Sequence, residues 1–195
     1  IEDAAQGLGG EIRGKKAGSF GDIAATSFFP AKPLGCYGDG GAVLTNNDHY
    51  AELLKSLRVH GKGVDKYDNI RIGMNSRLDT IQAAILIEKL AEFPEELHAR
   101  NIHAEKYSKV YSGLFEIPEV PEGYKSSWAQ YTLKADNRDI AISGFTAKGI
   151  PTAIYYKNCL HQQIAFEYLN YTDADLPVAS TLAKQVFSLP MHAYL

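Results

Sequence analysis

The sequence predicts a mixed α/β fold, and three observations carry that prediction. Short apolar stretches alternate with glycine-rich turns over residues 1–45, a long helical period runs from Arg77 to about Ser112, and strand-like and helix-like segments alternate from about residue 114 onward. The helical stretch links two lobes. The expected division is therefore residues 1–113, including the linking helices, and residues 114–195 as a small C-terminal α/β domain.

Each element has its own signal. "FGDIAATSFF" and "GGAVLTNN" read as strands, with a proline- and glycine-rich loop between them. Asn47 or Asp48 caps a helix to about Leu57, with Tyr50, Leu53, Leu54 and Leu57 on one face. Turn formers crowd "GKGVDKYDNIRIGMN" (61–75), which reads as a loop. Leu78, Ile81, Ile85 and Leu86 recur at helical spacing from Arg77 to about Ala91, and Pro94 fits the first turn of a second helix ending near Ser112. In the last third, "WAQYTLKA" is a strand, "NRDIAISGFTAKG" a helix and "IPTAIYY" a strand. Helices near 160–169 and 174–185 precede a short strand, "VFSLP".

Composition excludes several function classes. A chain with 45% hydrophobic and 22% charged residues is an ordinary globular protein. A formal net charge of -3 argues against nucleic acid as a partner, which selects for a basic face. Cys36 and Cys159 stand too far apart for a metal or redox motif, so no metal is expected and both read as free thiols of a reducing cytoplasm. The apolar run "AAILI" is too short to span a bilayer, so no membrane partner is expected. The chain starts without methionine, on what reads as the end of a buried strand, and both termini are expected to be cut ends.

Three residues at the start carry candidate chemistry. Lys32 stands between Pro30 and Pro33, ahead of "GCYGDGG". A lysine amine is a poor nucleophile while protonated, so a catalytic lysine is desolvated or converted to an imine. Prolines stiffen its loop and glycines admit close backbone approach; a solvated surface lysine is the alternative reading. If Ile1 ends a strand, Glu2 and Asp3 lie at its carboxyl end, where open α/β sheets place ligands. A buried carboxylate there needs a cationic partner such as the protonated pyridine nitrogen of pyridoxal phosphate; otherwise "EDAAQ" is a strand end and a capped turn. Ser27, five residues before Lys32, offers a hydroxyl to a phosphate oxygen or packs as a plain strand serine.

Together, "EDAAQ", "FGDIAATSFFPAKPLGCYGDGGAVLT", "RVHGKG" and "GMNSRLDTIQAAIL" resemble the sugar-nucleotide aminotransferases of the DegT/StrS type. The wording is most similar to those acting on UDP-2-acetamido-2-deoxy-3-oxo-glucuronate. The resemblance spans essentially all 195 residues and matches the second half of the family chain. It implies an aspartate-aminotransferase-like fold (type I), with residues 1–113 the later part of the large domain that binds pyridoxal 5'-phosphate.

The same resemblance implies roles by position. Lys32 would be the Schiff-base lysine and proton carrier, Asp3 the partner of the pyridine nitrogen, Gln6 a neighbour of the phenolic oxygen and Ser27 a phosphate ligand. Asn75 would reach across a homodimer interface to the neighbouring subunit's phosphate, although it or Ser76 also reads as a helix N-cap. Arg77 would hold an anionic group of the substrate, and Tyr155 and Tyr156 would contact the sugar nucleotide or else pack as a strand end in the small-domain core. The segment "YYKNCLHQQ" departs from the "YYPxPLH" of many relatives, which bears on the local loop shape. His60 reads as a loop landmark and His161 as structural.

The implied activity moves an amino group from a donor, glutamate in most relatives, to a keto-sugar nucleotide. The best-matching acceptor is the 3-keto group of a UDP-N-acetyl-hexuronic acid, for bacterial surface polysaccharide or lipopolysaccharide. A 4-keto-6-deoxy sugar nucleotide is the close alternative. A sugar dehydratase would carry histidine in place of Lys32, and a non-catalytic binding or regulatory protein would not need the retained set. This chain alone is expected to expose apolar surface and to lack turnover.

Overall fold

The computed structural model describes residues 1–195 and divides them into two units. The first comprises Ile1–Asn101 and Val120–Ala129. It contains β1 (Glu2–Asp3), β2 (Glu11–Ile12), β3 (Lys15–Lys16), β4 (Ala24–Ser27), β5 (Gly41–Leu44), α1 (Asp48–Leu57), the larger part of α2 (Thr80–Tyr111) and β6 (Tyr124–Lys125). The second comprises Ile102–Glu119 and Gln130–Leu195. It takes the end of α2, β7 (Tyr131–Lys134), α3 (Arg138–Thr146), 3₁₀ turns at Leu160–Gln162 and Ile164–Leu169, α4 (Pro177–Gln185) and β8 (Val186–Leu189). The α/β class predicted from the sequence is the class observed. No helix is long and apolar enough to cross a membrane.

In the first unit, β1, β4 and β5 form one sheet in that order. β1 runs parallel to β4, with Glu2 opposite Ala24 and Asp3 opposite Ala25, and β5 returns antiparallel with Val43 opposite Ala25 and Gly41 opposite Ser27. Side chains alternate across β4 as a strand requires. Ala24 and Thr26 are buried, and the Thr26 hydroxyl donates to the Ala4 carbonyl at 3.2 Å. Ala25 faces out, so Asp3, Ala25 and Ser27 share the open face of the sheet.

Glu2 fixes the approach to β4. Its carboxylate accepts the backbone N–H groups of Gly18 (2.6 Å), Phe20 (2.7 Å) and Gly21 (3.2 Å). These amides, that of Gly18 foremost, hold its pKa below the ordinary glutamate value. A second sheet, β3-β2-β6, is antiparallel throughout, and Glu11 on β2 pairs with Lys16 and with Lys125.

Helix α1 starts where its cap predicts: the Asn47 side chain accepts from the Tyr50 amide at 3.1 Å. Helix α2 departs from expectation. In place of two helices beginning at Arg77 and Pro94, one helix runs from Thr80 to Tyr111 with Pro94 inside it. Proline there removes the hydrogen bond to the Leu90 carbonyl, a loss of about 3 kcal/mol or more. Packing on both sides of Pro94 offsets it: Leu86 and Phe93 are buried with Leu34 and Cys36, and Leu97 packs against the same cluster.

In the second unit, β7 and β8 pair antiparallel from Tyr131–Leu189 to Lys134–Val186. Phe187 is wholly buried, and its ring meets Phe115 and Phe145 edge-on or tilted, with centroids 5.6 Å away in each case. Asn137 caps α3 by accepting from the Ile140 amide at 3.2 Å. "IPTAIYY", expected as a strand, contributes one bridge, Ala153 to Ser188, before the chain turns away. The expected helix at 160–169 is two 3₁₀ turns. Ile1, Val64, Ile72 and Ile164 stand almost wholly exposed.

Two outcomes follow. Phe187→Ala removes the centre of an aromatic cluster and should cost about 3–5 kcal/mol in denaturant unfolding; a loss below about 1 kcal/mol would mean the cluster is not the core. A carboxylate with a lowered folded-state pKa stabilises above its unfolded pKa and loses that contribution as pH falls. Glu2→Gln should therefore lower the melting temperature at neutral pH, and its gap from wild type should close as pH drops below 4.5, the ordinary glutamate value. A gap constant across that range would contradict the role assigned to the Glu2 charge.

Candidate active site

Lys32 lies on the loop that leaves the carboxyl end of β4, and the loop's conformation is fixed at several points. The Lys32 amide donates to the Phe29 carbonyl at 2.8 Å, closing a turn over Phe29–Lys32. The Cys36 amide returns to the Phe28 carbonyl at 2.8 Å, and the Phe28 amide reaches the Gly40 carbonyl at 2.8 Å. Leu34 and Cys36 carry the loop into the apolar cluster on α2, and the Tyr37 amide donates to the Gln82 side chain at 2.7 Å. Gly35 is required by close approach: a Cβ there would sit 2.6 Å from the Pro30 carbonyl oxygen and 2.8 Å from that of Phe29. Lys32 itself is half-buried, and its amine makes no hydrogen bond or ion pair.

Asp3 and Ser27 meet this loop at the carboxyl ends of two parallel, adjacent strands. The strand register puts Asp3 beside Ala25, two residues before Ser27 on the same face. Asp3 is exposed; one oxygen, Oδ1, accepts the Ala5 amide at 3.0 Å, leaving Oδ2 free to accept. The Ser27 hydroxyl oxygen accepts the Phe29 amide at 3.2 Å, which leaves its proton to donate outward. Gln6 follows β1 in the next turn with an exposed side chain. Asp3 and Ser27 thus offer an anion and a hydroxyl donor beside the small side chain of Ala25, and Lys32 stands on the loop that follows β4.

Asn75 and Arg77 lie elsewhere in the first unit. Val59 and Asn75 form an antiparallel bridge, and the His60 amide donates to the Met74 carbonyl at 2.9 Å. The Asn75 and Arg77 side chains are exposed and make no hydrogen bond or ion pair. The cap reading of Asn75 and Ser76 is set aside, because α2 begins at Thr80.

Tyr155 and Tyr156 belong to the second unit. They are 43% and 68% exposed with ring centroids 5.6 Å apart, so neither packs as a core strand end. The His161 side chain is 5% exposed and sits 3.1 Å from Asp173 Oδ1 and 3.3 Å from the Ser180 hydroxyl, both through Nε2. Hydrogen bonds from His161, then from Gln162 and Ser180, hold the Asp173 carboxyl down to about 2. Serine and carboxylate meet the same ring nitrogen, so the cluster ties α4 to the first 3₁₀ turn and is not a proton relay. Glu2, whose carboxylate organises three amides beside Asp3, has no motif of its own that sequence reasoning recognises.

Comparison with known proteins gives a consistent result. Residues 1–195 match the DegT/DnrJ/EryC1/StrS aminotransferase family. A protein of Pseudomonas aeruginosa described as UDP-2-acetamido-2-deoxy-3-oxo-D-glucuronate aminotransferase is 44% identical, over 100% of this chain and 54% of its own length. A "Pleiotropic regulatory protein" of Geobacillus stearothermophilus is 40% identical, over 98% of this chain and 52% of its own. The crystal structure of a DegT DnrJ EryC1 StrS aminotransferase from Brucella abortus superimposes with a TM-score of 0.95 at 50% identity, covering 100% of this chain and 52% of that one. The chain thus spans about half the length of the curated relatives it matches.

The loop geometry predicts that Gly35→Ala is destabilising, because the three nearest atoms the new methyl meets are all backbone atoms. A loss of about 1–3 kcal/mol is expected, the range for overpacking. Urea unfolding of the two proteins measures it, and an unchanged midpoint would show that the loop has slack around Lys32.

Proposed function

The chain belongs to the DegT/DnrJ/EryC1/StrS aminotransferase family, and on that premise we propose that it carries half of a pyridoxal-phosphate-dependent site for moving an amino group onto a keto-sugar nucleotide. The observation that carries the proposal is the placement of Lys32 just beyond the carboxyl ends of β1 and β4, with Asp3 and Ser27 at those ends.

The residues present fit the cofactor. Asp3 has a carboxylate oxygen available for a protonated ring nitrogen, Ser27 has a hydroxyl proton available for a phosphate oxygen, and Ala25 leaves the face between them open. Lys32 offers an amine that would hold the aldehyde carbon, and Gln6, exposed in the turn after β1, would lie near the phenolic oxygen. When bound, the cofactor supplies an electron sink for the bond-breaking at the donor's Cα.

This chain's residues then act as follows. Asp3 keeps the proton on the ring nitrogen. Lys32 Nζ, once the donor's amine has displaced it, would take the proton from the donor's Cα, and in the second half-reaction would deliver one to the sugar carbon that receives nitrogen. Asn75, exposed on its loop, reaches the phosphate of a neighbouring subunit in a homodimer. Arg77 holds an anionic group of the acceptor, and Tyr155 and Tyr156 present exposed rings to the sugar nucleotide. Glutamate is the amino donor. The free thiols of Cys36 and Cys159 suit a cytoplasmic enzyme.

The acceptor is the 3-keto group of a UDP-N-acetyl-hexuronic acid, in surface polysaccharide synthesis. The relative with 44% identity, described as acting on a 3-oxo-D-glucuronate, supports this choice over a 4-keto-6-deoxy sugar. The regulatory name of the relative with 40% identity favours one second reading, a protein of this fold that regulates without turnover. The retained Asp3, Gln6, Ser27, Lys32 and Asn75 weigh against it.

The test is borohydride reduction of the full-length protein incubated with pyridoxal phosphate, followed by peptide mass mapping. The expected result is a pyridoxyl adduct on Lys32, absent in Lys32→Ala, with amination of a 3-keto UDP-hexuronic acid in preference to a 4-keto-6-deoxy sugar nucleotide. An adduct on a different lysine, or none on folded protein, would overturn the reading.

A further inference from the structure

We propose that Ser127, held in place by Trp128, is a positioning residue for the Asp3–Gln6 loop; the inference rests on the cofactor reading above and goes beyond it. Ser127 is 4% exposed, and its hydroxyl donates to the Gln6 carbonyl at 2.8 Å, across 121 positions of sequence. Gln6 has its side chain exposed, while its backbone belongs to the turn closed by Gly7 and Leu8 amides on the Ala4 carbonyl, at 3.1 and 3.2 Å. Ser127 therefore pins the back of the turn whose front carries the Gln6 side chain.

What holds Ser127 is unusual. Trp128, the next residue, has a φ of +47°, in the left-handed region that bulky side chains disfavour by about 1–3 kcal/mol. Its polar groups are satisfied in that conformation. The amide donates to the Ser126 hydroxyl oxygen at 3.1 Å, and the indole N–H donates to the Asn101 side chain at 3.0 Å. The Trp128 carbonyl accepts from the Arg100 guanidinium at 3.1 Å, and Arg100 is only 6% exposed. Two consecutive residues of α2 thus clamp Trp128 in a strained state next to Ser127.

A generic core contact needs no such arrangement. A serine in an ordinary extended segment would satisfy itself locally, as Ser and Thr commonly do. Here the hydroxyl leaves its own segment for the loop that follows β1, four residues from the start of a two-residue strand. The exit of the strand is held as far as Ala4, whose amide donates to the Ala25 carbonyl and whose carbonyl accepts the Thr26 hydroxyl, and the Ser127 bond extends that hold to Gln6.

The experiment compares full-length wild type, Ser127→Ala and Trp128→Phe, the last of which keeps an aromatic ring and removes the indole donor. Each is titrated with pyridoxal phosphate for its dissociation constant, and the visible absorbance of the bound cofactor is followed against pH; melting temperatures are taken in parallel. Loss of one neutral hydrogen bond predicts cofactor binding weakened by about fivefold in Ser127→Ala. The absorbance midpoint should move with it, and Trp128→Phe should shift both in the same direction by less. If Ser127→Ala does not fold, Trp128→Phe decides with the same readouts. Wild-type affinity and midpoint in the folded variants, with only the melting temperature lowered, would reduce the network to a structural role and overturn the inference. Absence of binding by folded wild type is a different outcome, which overturns the cofactor reading itself and this inference with it.

Discussion

The parallel pairing of β1 with β4 is the constraint on which the site depends. Both strands end at the same edge of the sheet, so a carboxylate at the end of one and a hydroxyl at the end of the other share a face. A shift of one residue would turn Asp3 to the buried side, because side chains alternate along a strand. β1 has only two residues, too few to enforce that register alone. The enforcement comes from side chains: Glu2 collects three amides ahead of β4, and the Thr26 hydroxyl reaches back to the Ala4 carbonyl.

The second requirement is that the Lys32 loop leave the same edge in a fixed conformation. Its rigidity comes from burial as much as from proline. Leu34 and Cys36 are held against Leu86 and Phe93 on α2, and Gly35 permits the chain to fold back over its own carbonyls. The continuity of α2 through Pro94 serves the same cluster, because Phe93 and Leu97 stand on either side of the proline. What makes the helix whole thus also anchors the lysine loop. The Lys32 amine and Asp3 Oδ2 make no hydrogen bond within the chain, and they are the groups the proposed cofactor site would use.

Local signals were legible and long-range ones were not. Asn47 announces its helix because a cap is a contact over three residues. β4, β5, β7 and β8 read correctly from short apolar runs bounded by turns. Pro94 misled because the compensation for its missing bond lies in tertiary packing. "IPTAIYY" misled because a β-branched, aromatic run still needs an edge to pair with, and only Ala153 finds one. At the candidate site, Asp3, Ser27 and Lys32 stand out through their motif, and the shared face of Asp3 and Ser27 follows from a pairing that sequence only implied. Ser127 was invisible, since a serine in "SSWAQ" carries no mark of the carbonyl it meets 121 residues away.

The most direct test of the central claim is a crystal structure of the full-length protein with pyridoxal phosphate. The account predicts continuous density from Lys32 Nζ to the cofactor's aldehyde carbon, with the Asp3 carboxylate on the ring nitrogen and the Ser27 hydroxyl on the phosphate. A cofactor bound away from the carboxyl ends of β1 and β4, or joined to a different lysine, would contradict it.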